Sequence, residues 1–142
     1  MKENFVKLLF GTLIFGVGFS WYTVINDFIR FERIYGTIFR IENCVVPNPV
    51  TTPCFYGAIA FLIALSLLIF KKYRYLKYIL FGGTIFAWGN FLFEAYKFYI
   101  PTNTTKIGCS GIEVVSIFAT PCFYGALIYL ISLIIFINSK VK

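Results

Sequence analysis

Four cysteines carry the chemistry open to this chain, and their spacing is patterned. Cys54 lies in Thr52-Pro53-Cys54-Phe55-Tyr56-Gly57, and Cys122 in Thr120-Pro121-Cys122-Phe123-Tyr124-Gly125, the same six residues twice. Each copy follows another cysteine: Cys44 stands ten residues before Cys54, and Cys109 thirteen before Cys122. Two such pairs can do two things. They can close as structural disulfides, each worth roughly 3 kcal/mol by loop closure. Or they can exchange thiols and disulfides. Cys54 and Cys122 fall in the first turn of a helix, where unpaired N–H groups and the positive dipole end favour a thiolate. A thiolate is both the better nucleophile and the better leaving group. Four cysteines allow three pairings. The duplication favours Cys44–Cys54 and Cys109–Cys122, because an ancestral unit had only its own pair. Metal binding is not expected, since the spacing lacks the close Cys-x-x-Cys pairs of zinc sites. The chain has no histidine, which removes imidazole acid–base chemistry and the commonest metal and haem ligand.

The elements that must position these cysteines are membrane helices. The 142 residues are 59% hydrophobic and 13% charged, with mean hydropathy +0.81. A soluble domain carries about 25% charged residues. The apolar residues gather in runs of the length that spans a bilayer, about 20 residues. A first helix is expected over about Leu8–Ile29, with Trp21 and Tyr22 as interfacial aromatics. No small-residue cleavage site follows a short apolar core, so the helix is read as uncleaved. Residues 30–43 place Phe31, Ile34, Tyr35, Ile38 and Ile41 at helical spacing. They fit a surface amphipathic helix or an extension of the first helix. Pro47 and Pro49 forbid a helix before the first hexapeptide. Thr52 then caps a second helix with Pro53 at its first position, running to Phe70. A basic loop of Lys71, Lys72, Arg74 and Lys77 follows. A third helix is expected over Tyr78–Phe98, an outer loop over Pro101–Ala119, and a fourth helix from the second hexapeptide to about Asn138.

The duplication extends beyond the hexapeptide. Leu9-Phe10-Gly11, with Ile14-Phe15 and Gly18, recurs as Leu80-Phe81-Gly82, with Ile85-Phe86 and Gly89. The expected fold is therefore all-α: one integral membrane domain, residues 1–142, forming a bundle of four transmembrane helices. It is built of two tandem two-helix repeats, about 1–72 and 73–142, related by an axis along the membrane normal. The two ends and the 71–77 loop hold eight Lys/Arg and one acid, and the opposite side five of each. By the positive-inside rule both termini are cytoplasmic, and the cysteines face the other, oxidising side of a cell membrane. The net charge of +7 sits at helix ends and forms no basic stripe, so nucleic acid is excluded as a partner.

Four helices with both termini inside, and two outward cysteine pairs before helices two and four, resemble the DsbB and vitamin K epoxide reductase group. The resemblance covers the whole topology. In that group the reactive pair is a Cys-x-x-Cys at a helix start followed by a basic residue. Here the helix start reads Thr52-Pro53-Cys54-Phe55, followed by Tyr56, Gly57 and Ala58. The resemblance implies a membrane thiol–disulfide oxidoreductase. Cys54 is then the reactive thiol and Cys44, Cys109 and Cys122 are its exchange partners. A quinone accepts the electrons, and an extracytoplasmic thiol protein supplies them.

Other residues bear on function. Asn90 and Glu94 share a face of the third helix, and Lys97 lies three beyond Glu94. Ionisable groups within a span often mark function, and these three could line a cavity or relay a proton. The plainer reading pairs Glu94 with Lys97 near the surface. Asp27 reads as interfacial. Trp88 with Phe86 and Phe91 could flank a flat ring, though core or lipid contact explains them as well. Asn103-Thr104-Thr105 is a glycosylation sequon. Besides the oxidoreductase, two readings stand. One is an accessory subunit of a membrane protein complex, with two structural disulfides. The other is a small transporter or channel, for which only Asn90, Glu94 and Lys97 supply polarity.

Overall fold

The computed structural model describes residues 3–40, 46–100 and 113–140, the last residue by its backbone only. Cys44, Cys109 and the sequon at Asn103 lie outside the described residues. Four helices dominate: α1 (Glu3–Tyr35), α2 (Pro53–Ile69), α3 (Tyr73–Tyr99) and α4 (Pro121–Lys140). A single 3₁₀ turn precedes α2 at Pro49–Thr51, and another precedes α4 at Ile117–Ala119. At 1.5 Å per residue, α1 is about 50 Å long, α3 about 40 Å and α4 about 30 Å. The hydrocarbon core of a bilayer is about 30 Å. These three helices are long and apolar enough to cross a membrane, while α2 is apolar but only 17 residues long.

The side chains outside the core explain why lipid is the fitting solvent. Phe15, Phe81, Ile85 and Leu92 are 65, 56, 60 and 61% exposed. In water such a continuous apolar surface would drive association. In hydrocarbon it costs nothing, because each helix already satisfies its own backbone groups.

The helices pack as a square in which α1 and α3 each lie against both α2 and α4. Across the diagonals, α2 and α4 approach each other and α1 and α3 do not. Leu9 and Leu13 of α1, Leu76 and Leu80 of α3, and Phe61 and Tyr129 of α2 and α4 form the buried centre. Two glycines set the close approaches. A Cβ on Gly16 would lie 2.6 Å from the Phe61 ring, and one on Gly83 would lie 2.5 Å from the Tyr129 ring. Gly16→Ala is therefore expected to cost about 1–3 kcal/mol, as overpacking does. Gly11→Ala and Gly18→Ala, whose added Cβ atoms meet nothing within 4 Å, are expected to leave stability unchanged or slightly raised. Denaturant titration in micelles compares the three.

Several boundaries differ from the sequence expectation. Of the two readings of residues 30–43, the extension holds as far as Tyr35. There Gly36, at φ +70°, ends the helix, and its N–H bonds the Glu32 carbonyl. The expected 71–77 loop is shorter. Lys71 takes φ +56°, the Lys72 N–H reaches back to the Leu67 carbonyl at 2.8 Å, and α3 begins at Tyr73. This is a Schellman-type stop with lysine in the place glycine usually holds. Arg74 and Lys77 thus sit on the first turns of α3. Helix α1 likewise starts at Glu3, five residues early, where Glu3 and Lys7 form an exposed ion pair at 2.6 Å.

Candidate redox site

The two hexapeptides fold the same way locally. In each, a 3₁₀ turn leads into an extended threonine, and proline opens the helix. Thr52 was expected to cap α2 with its side chain, and it does not. Its hydroxyl donates instead to the Pro49 carbonyl at 2.6 Å, as Thr120 donates to the Ile117 carbonyl at 2.8 Å. The Phe55 N–H is then met by the Thr52 backbone carbonyl at 3.2 Å. The hydroxyls thus lock the turn that precedes the helix. Asn48, between two prolines and buried, fixes the approach to α2. Its amide nitrogen donates to the Ile38 and Arg40 carbonyls, and its oxygen accepts the Val50 N–H.

These two helix starts meet at one end of the bundle. The Cys54 and Cys122 sulfurs are 3.8 Å apart. That is sulfur–sulfur contact, beyond the bond length of about 2.05 Å but close enough for one to attack the other. Cys44 and Cys109, the expected partners, lie outside the described residues. What the structure brings together is one cysteine from each copy of the hexapeptide.

Below the sulfurs lies a small cavity, about 50 Å³, to which all four helices contribute. Its walls include Ser20 and Thr23 of α1, Gly57 of α2, Asn90 of α3 and Gly125 of α4. Phe61 and Tyr129 form the floor, stacked at 3.9 Å with an interplanar angle of 19°. The Tyr129 hydroxyl donates to the Gly57 carbonyl at 2.9 Å, linking α4 to α2. Such a volume holds one or a few waters.

The polarity of the cavity is one-sided. Ser20, Thr23 and Tyr129 each give their only hydroxyl proton to a backbone carbonyl, at 3.2, 3.0 and 2.9 Å. The Asn90 amide nitrogen donates to the Phe86 carbonyl at 2.8 Å. The hydroxyls therefore offer the cavity lone pairs only, and the second amide N–H of Asn90 is the donor left among these side chains. The helix-start argument for a thiolate meets an opposing environment here. The walls are mostly apolar, which favours a neutral thiol over a charged thiolate.

The remaining predicted residues are placed as follows. Asn90 lines the cavity, whereas Glu94, one turn on, is half-buried above it. Lys97 does not pair with Glu94. Its ammonium lies over the Phe93 ring, 4.4 Å from the centroid, and is exposed. Trp88 stands edge-on to Phe91 at 5.6 Å, and Phe91 contacts Phe123 at 5.2 Å. Phe86 is the one of that trio on the cavity wall. Asp27 is buried, 6% exposed, with its Oδ1 2.6 Å from Arg30. Sequence reasoning passed over Ser20, Thr23, Asn48 and Tyr129. Only Tyr129 left a signal: it stands as far beyond Phe61 as Cys122 beyond Cys54, 68 residues. Among the described residues no three His, Cys, Asp or Glu side chains cluster for a metal ion. No family model, no curated protein and no solved structure matches the chain.

Proposed function

We propose that this chain is a membrane thiol–disulfide oxidoreductase of the DsbB and vitamin K epoxide reductase type, in which Cys54 and Cys122 pass electrons between its two cysteine pairs. The observation that carries this reading is the 3.8 Å contact of the two sulfurs. Cys54 and Cys122 are far apart in the chain, and two independent staples need no such contact. In the central step the Cys54 thiol attacks Cys122 of a Cys109–Cys122 disulfide. The Cys54–Cys122 bond forms, the Cys109–Cys122 bond breaks, and Cys109 leaves as a thiolate. The thiol proton departs, and no electrons are gained or lost by the chain in this step. An extracytoplasmic dithiol protein supplies two electrons as it becomes a disulfide. A quinone takes them up with two protons and becomes a quinol.

The membrane arrangement belongs to the same proposal. All four helices span, α2 with the help of its 3₁₀ lead-in, as two repeats with both termini cytoplasmic. The charge distribution and the matched local structure of the two hexapeptides support this. The transporter reading gains least: Phe61 and Tyr129 close the cavity floor, and of the three polar residues only Asn90 lines it.

Thiol trapping across graded redox buffers, followed by mass spectrometry of the cysteine peptides, tests the proposal. A linked Cys54–Cys122 peptide is expected, with a potential above about −300 mV, the usual upper limit of structural bridges. Recovery of Cys44–Cys54 and Cys109–Cys122 alone, both resistant to reduction, would instead establish two staples and an accessory role in a membrane complex.

A further inference from the structure

We propose that the turn between α2 and α3 binds an anionic phospholipid, its phosphate between Arg74 and Lys77 and its acyl chain along α3 past Gly82. This site lies at the end of the bundle away from the cysteines and does not depend on the exchange reaction above. The turn gathers charge in a fixed frame. Lys71, Lys72, Arg74 and Lys77 are all exposed. The Lys71 and Lys72 N–H groups donate to the Leu68 and Leu67 carbonyls, at 3.0 and 2.8 Å, and hold the reversal. Leu68 and Leu76, on either side of it, are buried in the core. Arg74 and Lys77, three apart on a helix, are neighbours on its surface.

This charge is uncompensated. None of the four cations has an ion-pair partner among the described residues. Glu3, the acid at this end of the bundle, is held by Lys7 on α1. Helix α3 has no acidic residue in its first turn and no side-chain cap, so its free N–H groups add to the same field. Such a basic cluster beside a membrane helix attracts anionic headgroups, and the arginine can hold a phosphate through two parallel N–H bonds. Lysine at position 71 fits this picture. At φ +56° the helix stop favours glycine. Lysine is strained there, and a bound phosphate would offset the strain.

The depth of the turn selects a lipid over a soluble anion. Helix α2 has 17 residues, about 25 Å, against a hydrocarbon layer of about 30 Å. The turn that ends it is therefore drawn to the hydrocarbon boundary, beside the lipid phosphates. Ile69 and Phe70, next to the cations, are 57 and 72% exposed and need lipid around them. Tyr75 and Tyr78 are exposed as well, as interfacial aromatics are. Tyr78, Phe81 and Ile85 continue the face of α3 that begins with Arg74 and Lys77, and all three are exposed. A Cβ on Gly82 would meet nothing within 4 Å. The missing side chain leaves a shallow track between them in which an acyl chain can lie.

The experiment is a lipid competition read by native mass spectrometry. The full-length protein, delipidated in neutral micelles, is offered equal amounts of phosphatidylglycerol and phosphatidylcholine with the same acyl chains. The wild type is expected to retain phosphatidylglycerol about tenfold over phosphatidylcholine, and loss of one contributing charge to lower that ratio roughly fivefold, the worth of one basic residue at an anionic surface. The double variant Arg74→Gln, Lys77→Gln is expected to show no preference. Lys71→Gly is expected to weaken the preference yet raise the unfolding midpoint in lipid-free micelles, because glycine relieves the strained φ. That opposite movement separates lost binding from misfolding. Lys97→Gln, at the other end of α3, is expected to keep the wild-type ratio. Equal retention of the two lipids by the wild type would overturn the proposal. An unchanged ratio in the double variant would do the same, as would an equal loss in Lys97→Gln, which would reduce the effect to net charge. Displacement of the lipid by glycerol phosphate at matched concentration would also overturn it, since the acyl track would then contribute nothing.

Discussion

Serine at Cys54 or at Cys122 is expected to slow electron transfer from a dithiol peptide to a water-soluble quinone by roughly a thousandfold or more, the order seen when a covalent nucleophile is lost. The size follows from the 3.8 Å contact. If these two sulfurs form the bridge between the pairs, either substitution removes the same bond. The double variant is then no slower than either single one, and the interaction energy in a double-mutant cycle nearly equals the whole effect. A structural role predicts otherwise. Each serine would lower stability by the worth of one staple, roughly 3 kcal/mol, and the two losses would add. Quinone absorbance gives the rate, and micellar denaturation gives the stability. Additive stability losses with no dithiol-dependent quinone reduction in any variant would end the redox reading.

Tyr129→Ala is expected to be the most damaging single change to the fold, by about 3–5 kcal/mol. Its side chain is 2% exposed and stacks on Phe61 at 3.9 Å, and its ring lies where a Gly83 Cβ would have to go. Lipid removes the hydrophobic drive between helices, so packing contacts of this kind hold a membrane bundle together. Alanine would leave a void between four helices that have few other residues to fill it. Tyr129→Phe separates the two contributions. It keeps the ring and loses the hydrogen bond to the Gly57 carbonyl, for about 1 kcal/mol. Unfolding midpoints in mixed micelles order the three proteins. A midpoint for Tyr129→Ala close to wild type would show that α2 and α4 are held apart from this stack.

The fold was legible in the sequence where it depends on neighbours along the chain. Pro53 and Pro121 open their helices as expected, because proline fits the first helical position and little else. The apolar runs and their basic ends located four helices, with α1 extending five or six residues past its expected bounds at either end and α3 starting five residues early. The misplacements have local causes. Tyr73-Arg74-Tyr75 is polar enough to read as loop, yet one left-handed residue at Lys71 suffices to turn the chain. Residues 30–35 carry charge on an amphipathic pattern, which does not distinguish a surface helix from one projecting beyond the lipid. Thr52 has the chemistry of a cap, but the 3₁₀ turn before it offers the Pro49 carbonyl at shorter range.

By itself the sequence determined the helices, the doubled hexapeptide and the placing of Cys54 and Cys122 at helix starts. These follow from hydropathy and from proline and threonine stereochemistry, which act over a few residues. Only the tertiary structure decided that the two cysteines meet, that Phe61 stacks on Tyr129, and that Ser20, Thr23 and Asn90 close a cavity beneath the sulfurs. Those contacts join distant parts of the chain. They depend on which helices are diagonal neighbours and how near Gly16 and Gly83 let them come. Periodicity reports that a face is buried. It does not report what the face is buried against, and Phe61 and Tyr129 meet only because α2 and α4 approach across the diagonal.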